Sequence, residues 1–97
     1  MNTIYLAAAV VAELIFARSA GPPVAVVEAV SGNPADVEFM DYVEVGKVIH
    51  LNPQDGLVLS YMKSCVREAI TGGVVTVGVE RSEVESGKVE RDVVPCE

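Results

Sequence analysis

From Gly21 onward, apolar runs of strand length alternate with turn-forming residues, and no long helical pattern intervenes. Val24 to Val30 alternates: Val24, Val26 and Val30 share one parity with Glu28, and Ala25, Val27 and Ala29 share the other. Ser31-Gly32-Asn33-Pro34 then reads as a turn. Asp36 to Glu38 and Tyr42 to Val45 read as strand fragments with alternating acids, and Lys47 to Leu51 as a further short strand. Asn52-Pro53-Gln54-Asp55-Gly56 is the clearest turn signal, because proline presets one backbone angle and glycine accepts a positive one. Leu57 to Tyr61 continues as a strand. Tyr61 to Ile70 fits either a strand or a helical turn or two, Thr71-Gly72-Gly73 reads as a hairpin turn, and Val74 to Glu80 is a strong strand. Ser82 to Lys88 is polar and reads as a loop, and Val89 to Val94 closes the fold. The expected fold class is therefore all-β, a small β-sandwich or barrel of short, mostly antiparallel strands over residues 21–97.

An apolar N-terminal helical leader is expected ahead of that domain. Ile4 to Phe16 has the length of a secretory core segment, small residues follow at Ala17 to Ala20, and Gly21-Pro22-Pro23 ends any helix. The run is shorter than the roughly 20 apolar residues of a membrane span. Two features depart from a signal peptide: no lysine or arginine precedes the run, and Glu13 interrupts it. The alternative is a retained buried or amphipathic helix, including a pilin-like assembly helix. Export, with cleavage near Ala20, is the reading adopted, and no stable membrane span is expected after processing.

Composition narrows the partners. Seven basic residues stand against fourteen acidic ones, a net charge of −7, and cleavage after Ala20 removes one charge of each sign. Such a chain is a poor match for nucleic acid or an anionic membrane, both of which require basic residues. Valine is abundant and tryptophan absent, as suits a small pleated core. Cys65 and Cys96 form an even, widely spaced pair without a CxxC motif, and the lone His50 cannot complete a zinc site with them. In an oxidising compartment they are expected to form a disulfide; two free thiols in a cytosolic protein are the alternative.

Three segments carry a family resemblance: Val45-Gly46-Lys47-Val48-Ile49-His50-Leu51, Asp55-Gly56-Leu57-Val58-Leu59 and Gly72-Gly73-Val74-Val75-Thr76-Val77-Gly78. With Val26 to Gly32 as a first strand, residues 24–80 resemble the periplasmic FecR-type β domain. The resemblance implies an exported repeat of short strands, with no catalytic residue and no cofactor.

No catalytic set stands out. A serine or cysteine nucleophile needs a base, and His50 reads as a partly exposed strand residue. Asp36, Glu38, Asp41 and Glu44, and likewise Glu80, Glu83 and Glu85, read as the wet faces of strands; their spacing matches no EF-hand loop, so no metal site is assigned. Gly72 and Gly73 lack the ending of a phosphate-binding loop. The chain is thus expected to be non-enzymatic, without cofactor, and periplasmic or extracellular, working through a protein partner or self-association. It is read first as a binding or interaction module of unknown ligand. The alternative is a structural subunit of a surface filament, in which Val24, Val26, Val27 and Val30 form an assembly strand added to a neighbour's sheet.

Overall fold

A computed structural model describes residues 21–96. The leader expected over residues 1–20 lies outside the described residues. Six strands, β1 (Pro23–Ser31), β2 (Tyr42–Glu44), β3 (Val48–Tyr61), β4 (Val66–Thr76), β5 (Glu83–Glu85) and β6 (Lys88–Val93), build one antiparallel sheet. Its order is β2-β1-β3-β4, with β5 and β6 sharing the far edge of β4. No helix occurs among the described residues. The all-β expectation is met.

The strands are not uniformly short: β3 has 14 residues and β4 has 11. Both strong turn signals lie inside these strands and neither reverses the chain. Leu51 pairs with Gly73 and Gly56 with Thr71, so residues 52–55 of β3 stand opposite Gly72 alone. The surplus residues bulge out, and the Asp55 carboxylate folds back to accept the Asn52 N–H at 2.9 Å. On the other edge, β4 keeps one register past the same point, with Val74 opposite Glu85 and Thr71 opposite Lys88. Strands β5 and β6 are therefore one strand interrupted at Ser86-Gly87, where a loop was expected. Gly73 has φ 88°, and a Cβ there would run into the Glu85 carbonyl oxygen. Only glycine suits that crossing.

The true reversal falls in the segment that was ambiguous between strand and helix. Met62 to Cys65 form the β3–β4 hairpin loop, with the Cys65 N–H donating to the Tyr61 carbonyl at 3.2 Å and Cys65 itself at φ 60°.

The line of irregularities through residues 52–55, 72–73 and 86–87 folds this hairpin over itself. The Gly78 N–H donates to Tyr61 Oη at 3.2 Å, and Ser64 Oγ donates to the Glu80 carbonyl at 2.7 Å. Those partners flank opposite ends of β4, which would span roughly 35 Å if straight. Contact between its ends requires a sharp bend. The bend gathers Ile49 and Leu51 from one arm and Leu57, Leu59, Tyr61 and Ile70 from the other into a single core, completed by Ala25 and Val27 of β1.

Buried polar groups pin the segment that joins the arms. Glu68 is fully buried; its Oε2 accepts the Ser82 N–H and the Arg91 Nε–H, each at 2.8 Å, while Arg91 donates to the Ser82 carbonyl at 2.6 Å. The Ser82 and Tyr61 hydroxyls are hydrogen-bonded at 2.6 Å. The Arg91 guanidinium and the Ser82 amide satisfy Oε2, while Oε1 is buried without a hydrogen-bond partner among the described residues.

Strand β1 alternates as expected up to Val27 and then departs. Ala25 and Val27 are fully buried, but the register against β3 shifts between Val27 and Ala29. This bulge at Glu28 turns Ala29 outward and Val30 toward the core, reversing the parity read from the sequence.

Candidate binding surface

Between β1 and β2 the chain makes a tight turn at Glu38-Phe39-Met40-Asp41. The Asp41 N–H donates to the Glu38 carbonyl at 3.1 Å, and the Asp41 carboxylate accepts the Glu38 N–H at 2.8 Å. Two further bonds fasten the turn to β1: Val27 N–H to the Asp41 carbonyl and Met40 N–H to the Val27 carbonyl, both 2.8 Å. Phe39 and Met40 are the central residues, and Met40 holds φ 73°, a conformation that glycine or asparagine usually supplies at this position. For an L-residue it costs about 1–2 kcal/mol. The four hydrogen bonds over-determine the turn and so sustain that strain.

What the turn presents is apolar. Phe39 is 64% exposed, Met40 53% and, two residues on, Tyr42 61%. Of the three aromatic residues among those described, only Tyr61 lies in the core. Val43 is buried, so alternation along β2 sends Tyr42 to the outer face. There it stands opposite Val26 of β1, which stands opposite Ser60 of β3. A cleft of about 220 Å³ continues along the same face, lined by Val26, Glu28, Ser60, Met62, Val94 and Pro95 and closed by the cystine.

The turn segment is acidic, and Lys47 is the next charged residue after it. Residues 36–46 contain four acids and no base. Asp36 accepts the His50 backbone N–H at 2.8 Å and lies 3.1 Å from His50 Nδ1; that amide first, and the imidazole second, hold its carboxyl below the ordinary value. The Asp41 carboxylate is engaged within the turn. Among the described residues neither Glu38 nor Glu44 belongs to an ion pair, while Arg67 is taken by Glu28 at 3.2 Å.

The remaining predicted residues are scattered. Cys65 and Cys96 are disulfide-bonded, Cα to Cα 5.3 Å, across 31 positions, and the Val94 N–H donates to the Cys65 carbonyl at 2.9 Å. The bond ties the C-terminal tail to the hairpin loop and fits an oxidising, non-cytoplasmic environment. His50 has a side chain 70% exposed and staples the 33–41 segment to β3; its only side-chain partner among the described residues is Asp36. Glu83 and Glu85 lie exposed on β5 and Glu80 in the preceding loop, apart from the acids of the turn. Among the described residues no cluster of three or more His, Cys, Asp or Glu side chains could hold a metal ion. Val24, Val26, Val27 and Val30 lie on β1, an inner strand paired with β2 on one side and β3 on the other. Sequence reasoning placed the acids at 38, 41 and 44 on a wet face but passed over Phe39, Met40 and Tyr42 between them. The available signal was a pair of large apolar residues bracketed by acids where strand alternation breaks.

No family model, no curated protein and no solved structure matches this chain.

Proposed function

We propose that this chain is an exported, non-enzymatic β domain that acts as a periplasmic or extracellular protein-interaction module. The observation that carries the reading is the turn at Phe39-Met40 together with Tyr42: large apolar side chains held out to solvent on a strained, heavily hydrogen-bonded turn. Large apolar side chains grouped on one exposed turn are the kind of surface that marks a protein interaction site. Aromatic and methionine side chains are also the types enriched at the centres of protein interfaces. The Cys65–Cys96 disulfide supports an oxidising location, and the apolar run at residues 4–16 with the FecR-type resemblance over residues 24–80 supports export.

The test is site-specific photo-crosslinking in the host. A crosslinker at position 42 is expected to yield a discrete adduct of higher mass from the periplasmic or extracellular fraction. One at position 90, on the exposed part of β6, is expected to yield none. Recovery of the protein in the cytosol with both thiols free, or equal adducts from both positions, would sink the reading.

A further inference from the structure

We infer that the Phe39-Met40-Tyr42 surface binds a basic protein segment carrying an apolar anchor side chain, and that Glu38 and Glu44 select it by charge. This deepens the interaction-module reading and rests on it.

Three kinds of occupant are chemically open to an exposed apolar turn: a membrane, a second copy of this chain, or another protein. The charge around the turn chooses among them. Glu38 is exposed beside Phe39, and Glu44 lies two residues beyond Tyr42 on the same strand, where alternation puts both on one side. Neither belongs to an ion pair among the described residues, so both carboxylates are open to a cationic partner. An anionic lipid surface is repelled by them. Insertion into a neutral bilayer would drag the Asp41 and Glu38 carboxylates toward hydrocarbon along with Phe39, because Phe39 sits between them in the turn. A second copy docked through the same patch would bring these acids face to face, in a molecule already at −7. A segment with lysine or arginine flanking an aromatic or long aliphatic residue answers both features: its anchor covers Phe39 and Tyr42, and its cations meet Glu38 and Glu44.

The backbone adds a reason for rigidity. The left-handed Met40 residue and the four surrounding hydrogen bonds fix the backbone that carries Phe39, so little backbone freedom remains to be lost on binding. A flexible loop would carry the same residues without that advantage. The adjoining cleft, with Val26 and Met62 on its walls, offers room for the peptide to continue beyond its anchor.

The experiment is selection of a random 12-residue peptide library, displayed on phage, against the immobilised, oxidised protein. Clones enriched in lysine or arginine next to an aromatic, leucine or methionine residue are expected. As synthetic peptides they should lose tenfold or more in affinity to Phe39→Ala, and several-fold to the double variant Glu38→Gln with Glu44→Gln. They should also weaken several-fold between about 0.05 and about 0.5 M salt, as screened charge contacts do. Glu38 and Phe39 are exposed and Glu44 is half-buried, and a melting curve matching the parent confirms that each variant is folded. Binders without charge bias, or binders indifferent to the glutamine pair, overturn the charge selection. Binders unaffected by Phe39→Ala overturn the whole inference while leaving the interaction-module reading intact. Failure to enrich any clone also overturns it, as do Phe39-dependent binding to phosphatidylcholine vesicles or a Phe39-dependent dimer in sedimentation. The crosslinking test of the preceding section requires only a partner near position 42, whatever its charge, so it can succeed where this one fails.

Discussion

Burial raises the pKa of the Tyr61 phenol above its ordinary 10.0, and the Ser82 hydroxyl and Gly78 amide oppose that rise without cancelling it. The sign of the consequence is fixed. Above pH 10 the unfolded chain ionises this group and the folded chain does not, so the stability it supports is intact below 10.0 and falls as pH rises toward the folded value. Tyr61→Phe should lack that alkaline loss while being about 1–2 kcal/mol less stable at neutral pH, having given up bonds to Ser82 and Gly78. Denaturant titrations of both proteins from about pH 8 to 11 check the pair of outcomes. A different residue makes the opposite prediction. Met40→Gly relieves a left-handed backbone and should raise stability by up to about 1 kcal/mol, read as a shift in urea midpoint. If the midpoint falls, the turn is not strained. Nothing local marks Met40 as left-handed; alternation does put Tyr61 on one face with Leu57 and Leu59, and all three are buried, but its bonds to Ser82 and Gly78 join residues far along the chain. Glu68 is plainer still, since its burial depends on Arg91, 23 positions away.

At the scale of elements, the same residue chemistry served a different geometry. Asn52 to Gly56 and Thr71 to Gly73 were rightly read as places where regular backbone fails. They are opposed on neighbouring strands, and their irregularities meet as a bulge and a bend rather than as two chain reversals. A local segment cannot distinguish these outcomes, because a turn and a bulge use the same permissive residues and differ in what lies across from them. Gly73→Ala tests the bend. Its left-handed φ and the approach of Glu85 and Gly87 backbone should cost 2 kcal/mol or more, roughly the range of strained backbone sites. Thermal melting reads the loss, and an unchanged Tm would mean that the crossing tolerates a side chain. The candidate surface belongs to this scale too. The acids at 38, 41 and 44 were visible, but the apolar residues among them became a feature only when Val27 pinned the turn and Val43 faced inward.

For the whole molecule, the disulfide is the covalent restraint that ties the C-terminal tail to the hairpin loop. Closing a loop of 31 positions contributes about 3–4 kcal/mol on the chain-entropy account. Cys65→Ser with Cys96→Ser should lower the unfolding free energy by that amount in a urea titration, and the oxidised parent treated with reductant should move toward the same midpoint. For a domain of this size such a loss is a large share of the total. If reduction leaves the midpoint unchanged, the tail contributes nothing beyond the hydrogen bonds of β6.

Valine-rich alternation by itself determined that this chain folds as strands, and the even cysteine pair in a chain with a single histidine determined which residues form its covalent tie. Those properties are local or combinatorial, so they survive without knowledge of neighbours. Strand order, the bend across residues 52–55 and 72–73, the inward turn of Val30 and the outward display of Phe39, Met40 and Tyr42 were decided only by tertiary structure. Each depends on a backbone partner far along the chain, and a one-residue change in that pairing moves a side chain from the core to solvent.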